Sequence, residues 1–179
     1  FFGAGGFSKV MDSIIARLPL AWLGLQAADF VVVAGHDSLS SRLIGPRSQL
    51  IKAHSMDYDM YLELTADAQP DTDTAVFIDE FRPHHPDLRT TGFEGFIDSD
   101  TYYSQLLGIF DRVENELGLE VVIAANPRAD YRSDNHPFGT RKLEYGKTAE
   151  LIARGRLVLA HRSTAIGMAI MFHKPVLQL

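Results

Sequence analysis

Short apolar runs recur along the chain, separated by stretches of helical spacing and by polar, turn-rich sequence. Residues 30–34 (FVVVA), 75–78 (AVFI), 119–124 (LEVVIA) and 157–160 (LVLA) read as strands covered on both faces. Residues 49–53 read as a further short strand, and a second buried strand of the C-terminal region starts near Val176, behind Lys174 and Pro175. Helices are predicted over 7–18, ahead of Pro19; 38–43, closed by Gly45 and Pro46; 101–117, ended by Gly118; 146–154; and 165–172. In the long helix Ile109, Val113 and Leu117 form the core stripe, with Leu106 on the same face. Strand and helix alternate from residue 75 onward, which predicts an α/β fold: a Rossmann-like, mainly parallel sheet with helices on both faces.

The acidic, turn-rich tract 66–74 (ADAQPDTDT) reads as a linker. The expected organisation is residues 1–66 as the remnant of an N-terminal α/β lobe, 67–74 as linker and 75–179 as a nucleotide-binding lobe. Both ends read as cut. FFGAGGF opens without an initiator Met and KPVLQL stops inside a strand, so an incomplete chain is expected. The longest loops are expected at 82–99 and 128–145. The glycines at 3, 5 and 6 lack the preceding strand that a phosphate-cradling loop requires.

Composition narrows the function. With 17 basic and 23 acidic residues in 179, a net charge of −6 argues against a nucleic-acid binder held by a basic face. The absence of cysteine excludes disulfides, thiolate metal sites and cysteine nucleophiles. No apolar run reaches the roughly 20 residues needed to span a bilayer. A cytoplasmic protein is expected, compatible with a peripheral position at the inner face of the membrane and with a homodimer.

In an open parallel sheet, ligands bind beyond the carboxyl ends of the strands. Three predicted strands deliver polar residues there: Asp79, Glu80, Arg82, His84, His85 and Asp87 after the first; Asn126, Arg128, Asp130 and Tyr131 after the second; His161, Arg162, Ser163 and Thr164 after the third. Ser163 or Thr164 is a natural N-cap for the helix at 165, whose first-turn N–H groups would form an anion site. Arg128, Arg141 and Arg162 suit phosphate through the planar fork, with Lys147 and Lys174 as longer reaches. Asp79 and His85 are the candidates for acid–base work. Metal ligation by Asp79, His84, His85 and Asp87 is an alternative that the flanking Pro83 and Pro86 make awkward, and His54, Asp57 and Asp59 lack the spacing of a helical ligand pair. No metal is expected.

The stretch 156–179 (RLVLAHRSTAIGMAIMFHKPVLQL) carries a strand, a Ser-Thr pair, a small-residue helix and a Lys-Pro before another strand. This order resembles the C-terminal nucleotide-binding half of GT-B type glycosyltransferases, above all bacterial capsule and surface-polysaccharide enzymes such as sialyltransferases and polymer glycerophosphotransferases. The resemblance extends over 74–179, with Asn126-Pro127 standing where those families carry His-Pro. It implies a nucleotide-sugar donor as substrate without a further cofactor, and a polysaccharide or lipid-linked acceptor. It also implies donor-phosphate binding by Ser163 and Thr164, a site lined by Asn126 and Arg128, and nucleotide contacts from His161 and Glu80. The alternatives are a sugar-nucleotide epimerase of the same architecture and a non-catalytic nucleotide-binding fragment.

Overall fold

The computed structural model describes residues 18–65, 73–86, 98–131 and 136–179. The predicted helix at 7–18 and the N-terminal glycines thus lie almost wholly outside the described residues, as do Asp87 and the linker up to residue 72. The chain divides into two compact units, Phe1–Ser55 and Met56–Leu179. The division falls ahead of the expected linker, because the helix over Met56–Thr65 packs with the second unit.

In the first unit, β1 (Phe30–Val33) and β2 (Gln49–Lys52) pair in parallel from Phe30 opposite Gln49 to Val33 opposite Lys52. The predicted helix at 38–43 is a single 3-10 turn, Asp37–Ser40, tied by bonds from the Ser38 and Ser40 hydroxyls to backbone carbonyls three residues back. Those side chains offer the backbone an alternative to helical pairing.

The second unit carries α1 (Met56–Thr65), β3 (Thr74–Ile78), α2 (Ser99–Leu117), β4 (Glu120–Ala125), β5 (Leu143–Tyr145), α3 (Thr148–Arg154), β6 (Leu157–Ala160), α4 (Ile166–Met171) and β7 (Val176–Gln178). Its five strands are all parallel, in the order β5-β4-β3-β6-β7. The chain builds outward from β3 through β4 to β5, then crosses back to lay β6 on the other side of β3. Strand order therefore reverses between β3 and β6, and the sheet is a doubly wound, Rossmann-like one.

Each face of the sheet has its own core. On one, Phe77, Val121 and Ile123 meet Leu106, Phe110 and Val113 of α2. On the other, Ile78, Val158 and Ala160 meet Ala149 and Ile152 of α3 and Met168 and Ala169 of α4, with Met60 and Leu64 of α1 packed alongside. Double coverage is why β3, β4 and β6 read as unbroken apolar runs.

The long helix α2 starts where the Asp98 carboxylate accepts from Thr101 N (2.8 Å) and ends at Gly118, at φ 65°. Its buried stripe is Leu106, Phe110 and Val113, while Leu117 is 56% exposed. The stripe is rotated from the expected one because Phe110 stacks edge-on against Phe77, with ring centres 5.0 Å apart. The edge strands are less covered than their sequences suggest. β7, expected to be buried, leaves Leu177 43% exposed, and β5 lies inside the stretch expected to be loop.

Gly155 closes α3 directly against β3. A Cβ placed there would lie 2.7 Å from Val76 Cγ2 and 3.1 Å from the Leu151 carbonyl oxygen. Its φ of −61° is open to any residue, so packing alone sets the requirement. Gly155→Ala is expected to destabilise the unit by about 1–3 kcal/mol through overpacking, read as a lowered urea midpoint with an unchanged slope.

No helix among the described residues is long and apolar enough to cross a membrane.

Candidate functional site

The carboxyl ends of β3, β4 and β6 open onto two adjoining clefts at the point of strand reversal. The larger, about 680 Å³, is lined by Asp79, Glu80, Arg82, His85, Asn126, Pro127, Arg128, Arg162, Ser163 and Thr164. The smaller, about 300 Å³, shares Asp79, Asn126, Pro127, Ser163 and Thr164, and adds Asp57 and Met60 from α1 and Thr148 from α3. The expected site residues Asp79, Glu80, His85, Asn126, Arg128, Arg162, Ser163 and Thr164 therefore converge, drawn from three strands by the topology.

Asp79 is 4% exposed and organises the rim. Its Oδ1 accepts from Phe81 N (2.8 Å); its Oδ2 accepts from Asn126 N (3.1 Å) and from the Tyr131 hydroxyl (2.9 Å). One carboxylate thus fastens the β3 and β4 loops to each other. Burial pushes its carboxyl above the ordinary carboxylate range, against the pull of the bonds from Asn126, Phe81 and Tyr131. Burial, then the Asp79 charge, raises the Tyr131 hydroxyl in turn, so it serves as a donor. With both oxygens engaged, Asp79 has the geometry of a positioning residue rather than of the base expected from its place in the sequence. Phe81 stands at φ 55°, a conformation rare for a bulky residue, held by the bond to Asp79 and by edge-on contact with Tyr131 (6.0 Å).

Glu80 links the first and third loops. Its Oε1 accepts from Arg162 N (2.6 Å) and its Oε2 from Arg82 Nε (3.1 Å). Asn126 closes a local turn, its Oδ1 accepting from Arg128 N (2.9 Å), which fits an amide better than an imidazole.

The helix after β6 differs from expectation. α4 has six residues and its N-cap is Ala165, without a side-chain cap. Ser163 Oγ accepts from Ala165 N (3.2 Å), and the N–H groups of Ile166, Gly167 and Met168 bond to the Ser163, Thr164 and Ala165 carbonyls. The first-turn donors assigned to an anion are thus engaged within the turn. Ser163 and Thr164 line both clefts, and Thr164 is the more exposed of the two.

His161 is not among the described residues lining either cleft. Its Nδ1 lies 3.2 Å from the Leu179 carbonyl, which can only accept, so Nδ1 carries a proton, and its Nε2 is hydrogen-bonded to the Tyr102 hydroxyl (2.9 Å). It ties β6 to α2, in place of the expected nucleotide contact. Arg141 is also structural. It holds Glu114 through Nε (2.8 Å) and Nη2 (2.6 Å) and Asp111 through Nη2 (2.6 Å), with its guanidinium 5.2 Å from the centre of the Phe110 ring. Lys147 pairs with Glu144 at 2.9 Å. His84 lies 3.3 Å from Ser99 Oγ, and among the described residues no three His, Asp or Glu side chains converge as metal ligands would.

Sequence reasoning missed α1, which brings Asp57 and Met60 to the smaller cleft. Its signal was Met56, Met60 and Leu64 at intervals of four, with Tyr61 beside them; Tyr61 meets Phe172 at 5.0 Å.

Comparison of the chain with protein-family models, with curated proteins and with solved structures finds no match to any of them.

Proposed function

We propose that Met56–Leu179 is the donor-binding lobe of a GT-B-like glycosyltransferase of surface-polysaccharide synthesis, whose switch-point cleft receives the phosphate of a nucleotide-activated sugar. The observation that carries this reading is that three arginines, Arg82, Arg128 and Arg162, line one cleft of about 680 Å³ together with Ser163 and Thr164 where strand order reverses. A chain of net charge −6 that gathers three arginines at one rim favours a compact anion over a polyanion surface.

In this reading the lobe binds and orients. The arginine forks offset the charge that collects on the nucleotide phosphate as the sugar–phosphate bond breaks, and the hydroxyls fix its position. Asp79 holds the rim, and His85, the other acid–base candidate, lines the cleft. An epimerase of the same architecture would draw its acid–base groups from the loop after β3, where His85 lines the cleft.

Calorimetric titration with CMP, CDP, UDP, GDP and inorganic phosphate tests the reading. One nucleotide is expected to bind selectively, with affinity at least tenfold weaker in Ser163→Ala/Thr164→Ala, the loss of roughly one charge-assisted hydrogen bond (about 1.5–3 kcal/mol). Each single alanine variant should account for part of that loss, because Ser163 Oγ accepts from Ala165 N through a lone pair and keeps its proton to donate. No binding of any nucleotide at millimolar concentration would overturn the proposal.

A further inference from the structure

Within the larger cleft, the Glu80 carboxylate sits where an anionic ligand would be received. It accepts from a backbone N–H at the end of β6, Arg162 N at 2.6 Å, and from the edge of a guanidinium, Arg82 Nε and Nη2, both at 3.1 Å. A main-chain amide at a strand end together with an arginine fork is a donor set suited to a phosphate group. Here a side chain of the protein itself fills it, 17% exposed, in a cavity far larger than a carboxylate.

We infer that Glu80 is an internal stand-in for the ligand's phosphate: a phosphate entering the cleft displaces the carboxylate and takes over the Arg162 amide and the Arg82 fork. This rests on the donor-cleft reading above. The exchange keeps the rim ordered when the cleft is empty and lowers phosphate affinity, since two anions cannot share the same donors. A bare phosphate must break the Glu80–Arg82 pair unaided. A nucleotide has the rest of its contacts to draw on, which biases the cleft toward the larger ligand.

The test is calorimetric titration of inorganic phosphate and pyrophosphate into the unmodified chain and into Glu80→Gln, with the Arg162 amide resonance followed by NMR. Glu80→Gln keeps the side-chain length and can still accept from Arg162 N, so the fold is retained. Phosphate is expected to bind at least about tenfold more tightly to Glu80→Gln, because a like charge a few ångströms away has been removed. Glu80→Ala is expected to shift affinity in the same direction, and Arg82→Ala in the opposite one. Saturating phosphate should move the Arg162 amide of the unmodified chain away from its carboxylate-bonded position. Equal or weaker binding by Glu80→Gln, in a chain that does bind phosphate, would overturn the inference and leave the cleft reading standing. Absence of phosphate and pyrophosphate binding in both proteins would overturn the inference, while the nucleotide titration decides the cleft reading.

Discussion

Asp79→Asn is expected to lower the stability of the second unit by about 1–3 kcal/mol at neutral pH, the penalty for a buried donor left without an acceptor. An amide has one acceptor oxygen where the carboxylate uses two. Turned one way it abandons Phe81 N, turned the other it abandons Asn126 N, while the Tyr131 hydroxyl can rotate to accept. The pH dependence gives this prediction its edge. Burial raises the Asp79 carboxyl above its ordinary value, so the native state takes up a proton before the unfolded chain does as pH falls. Its contribution is then fully present below the unfolded value and declines as pH rises through the raised native one. The stability gap between the unmodified chain and Asp79→Asn should therefore widen on going from pH 7 toward pH 4, measured as the difference of urea midpoints. A gap that narrows on acidification would mean that the bonds to the ionised form outweigh its burial. The substitution should also weaken nucleotide binding, because the β3 and β4 loops that form the cleft are held together through this carboxylate.

Phe138→Ala is expected to be the more damaging change, lowering stability by about 3–5 kcal/mol, as for a large side chain removed from a packed core. For a unit of ordinary stability, about 5–15 kcal/mol, that is a large share. Phe138 is fully buried, with ring centres 5.2 Å from Tyr131, 5.8 Å from Tyr103 and 6.1 Å from Phe77. No helix is described between β4 and β5, and this ring fills the space where a crossover helix would pack. Phe138→Leu, which keeps most of the volume, should lose less than about 1.5 kcal/mol. Urea unfolding followed by circular dichroism reads both. A loss below about 1 kcal/mol for the alanine variant would show that Arg141, bonded to Asp111 and Glu114, holds the crossover by itself. Because Phe138 packs on Tyr131 and Tyr131 bonds to Asp79, the damage should reach the cleft and appear as weaker nucleotide binding.

Much of the architecture was legible along the chain. The runs at β3, β4 and β6 are covered on both faces, so their apolar character survives without alternation, and that pattern alone called for a parallel sheet. Polar residues directly after those runs had to gather at one rim, because parallel strands all end on the same side. Asp79, Glu80, Asn126, Arg128, Arg162, Ser163 and Thr164 could therefore be named as neighbours from their order. Local chemistry was legible too, as in the αL end of α2 at Gly118.

What the side chains do at that rim was decided by tertiary structure, because each role depends on a partner remote in sequence. Asp79 becomes a brace because Tyr131 and Asn126 N reach it from the next loop. His161 becomes a tie because Tyr102 lies 59 positions away in sequence and 2.9 Å away in space. Arg141 leaves the list of anion ligands because Asp111 and Glu114 on α2 claim it. β5 and α1 escaped for the same reason, since each carries a weak pattern of its own and is held in place by neighbours. β7 was found but not its exposure, which follows from its place at the edge of the sheet. Periodicity reports which face of an element is covered, whereas the partner that covers it, and the free or engaged state of each polar atom, is settled only once the sheet has closed around β3.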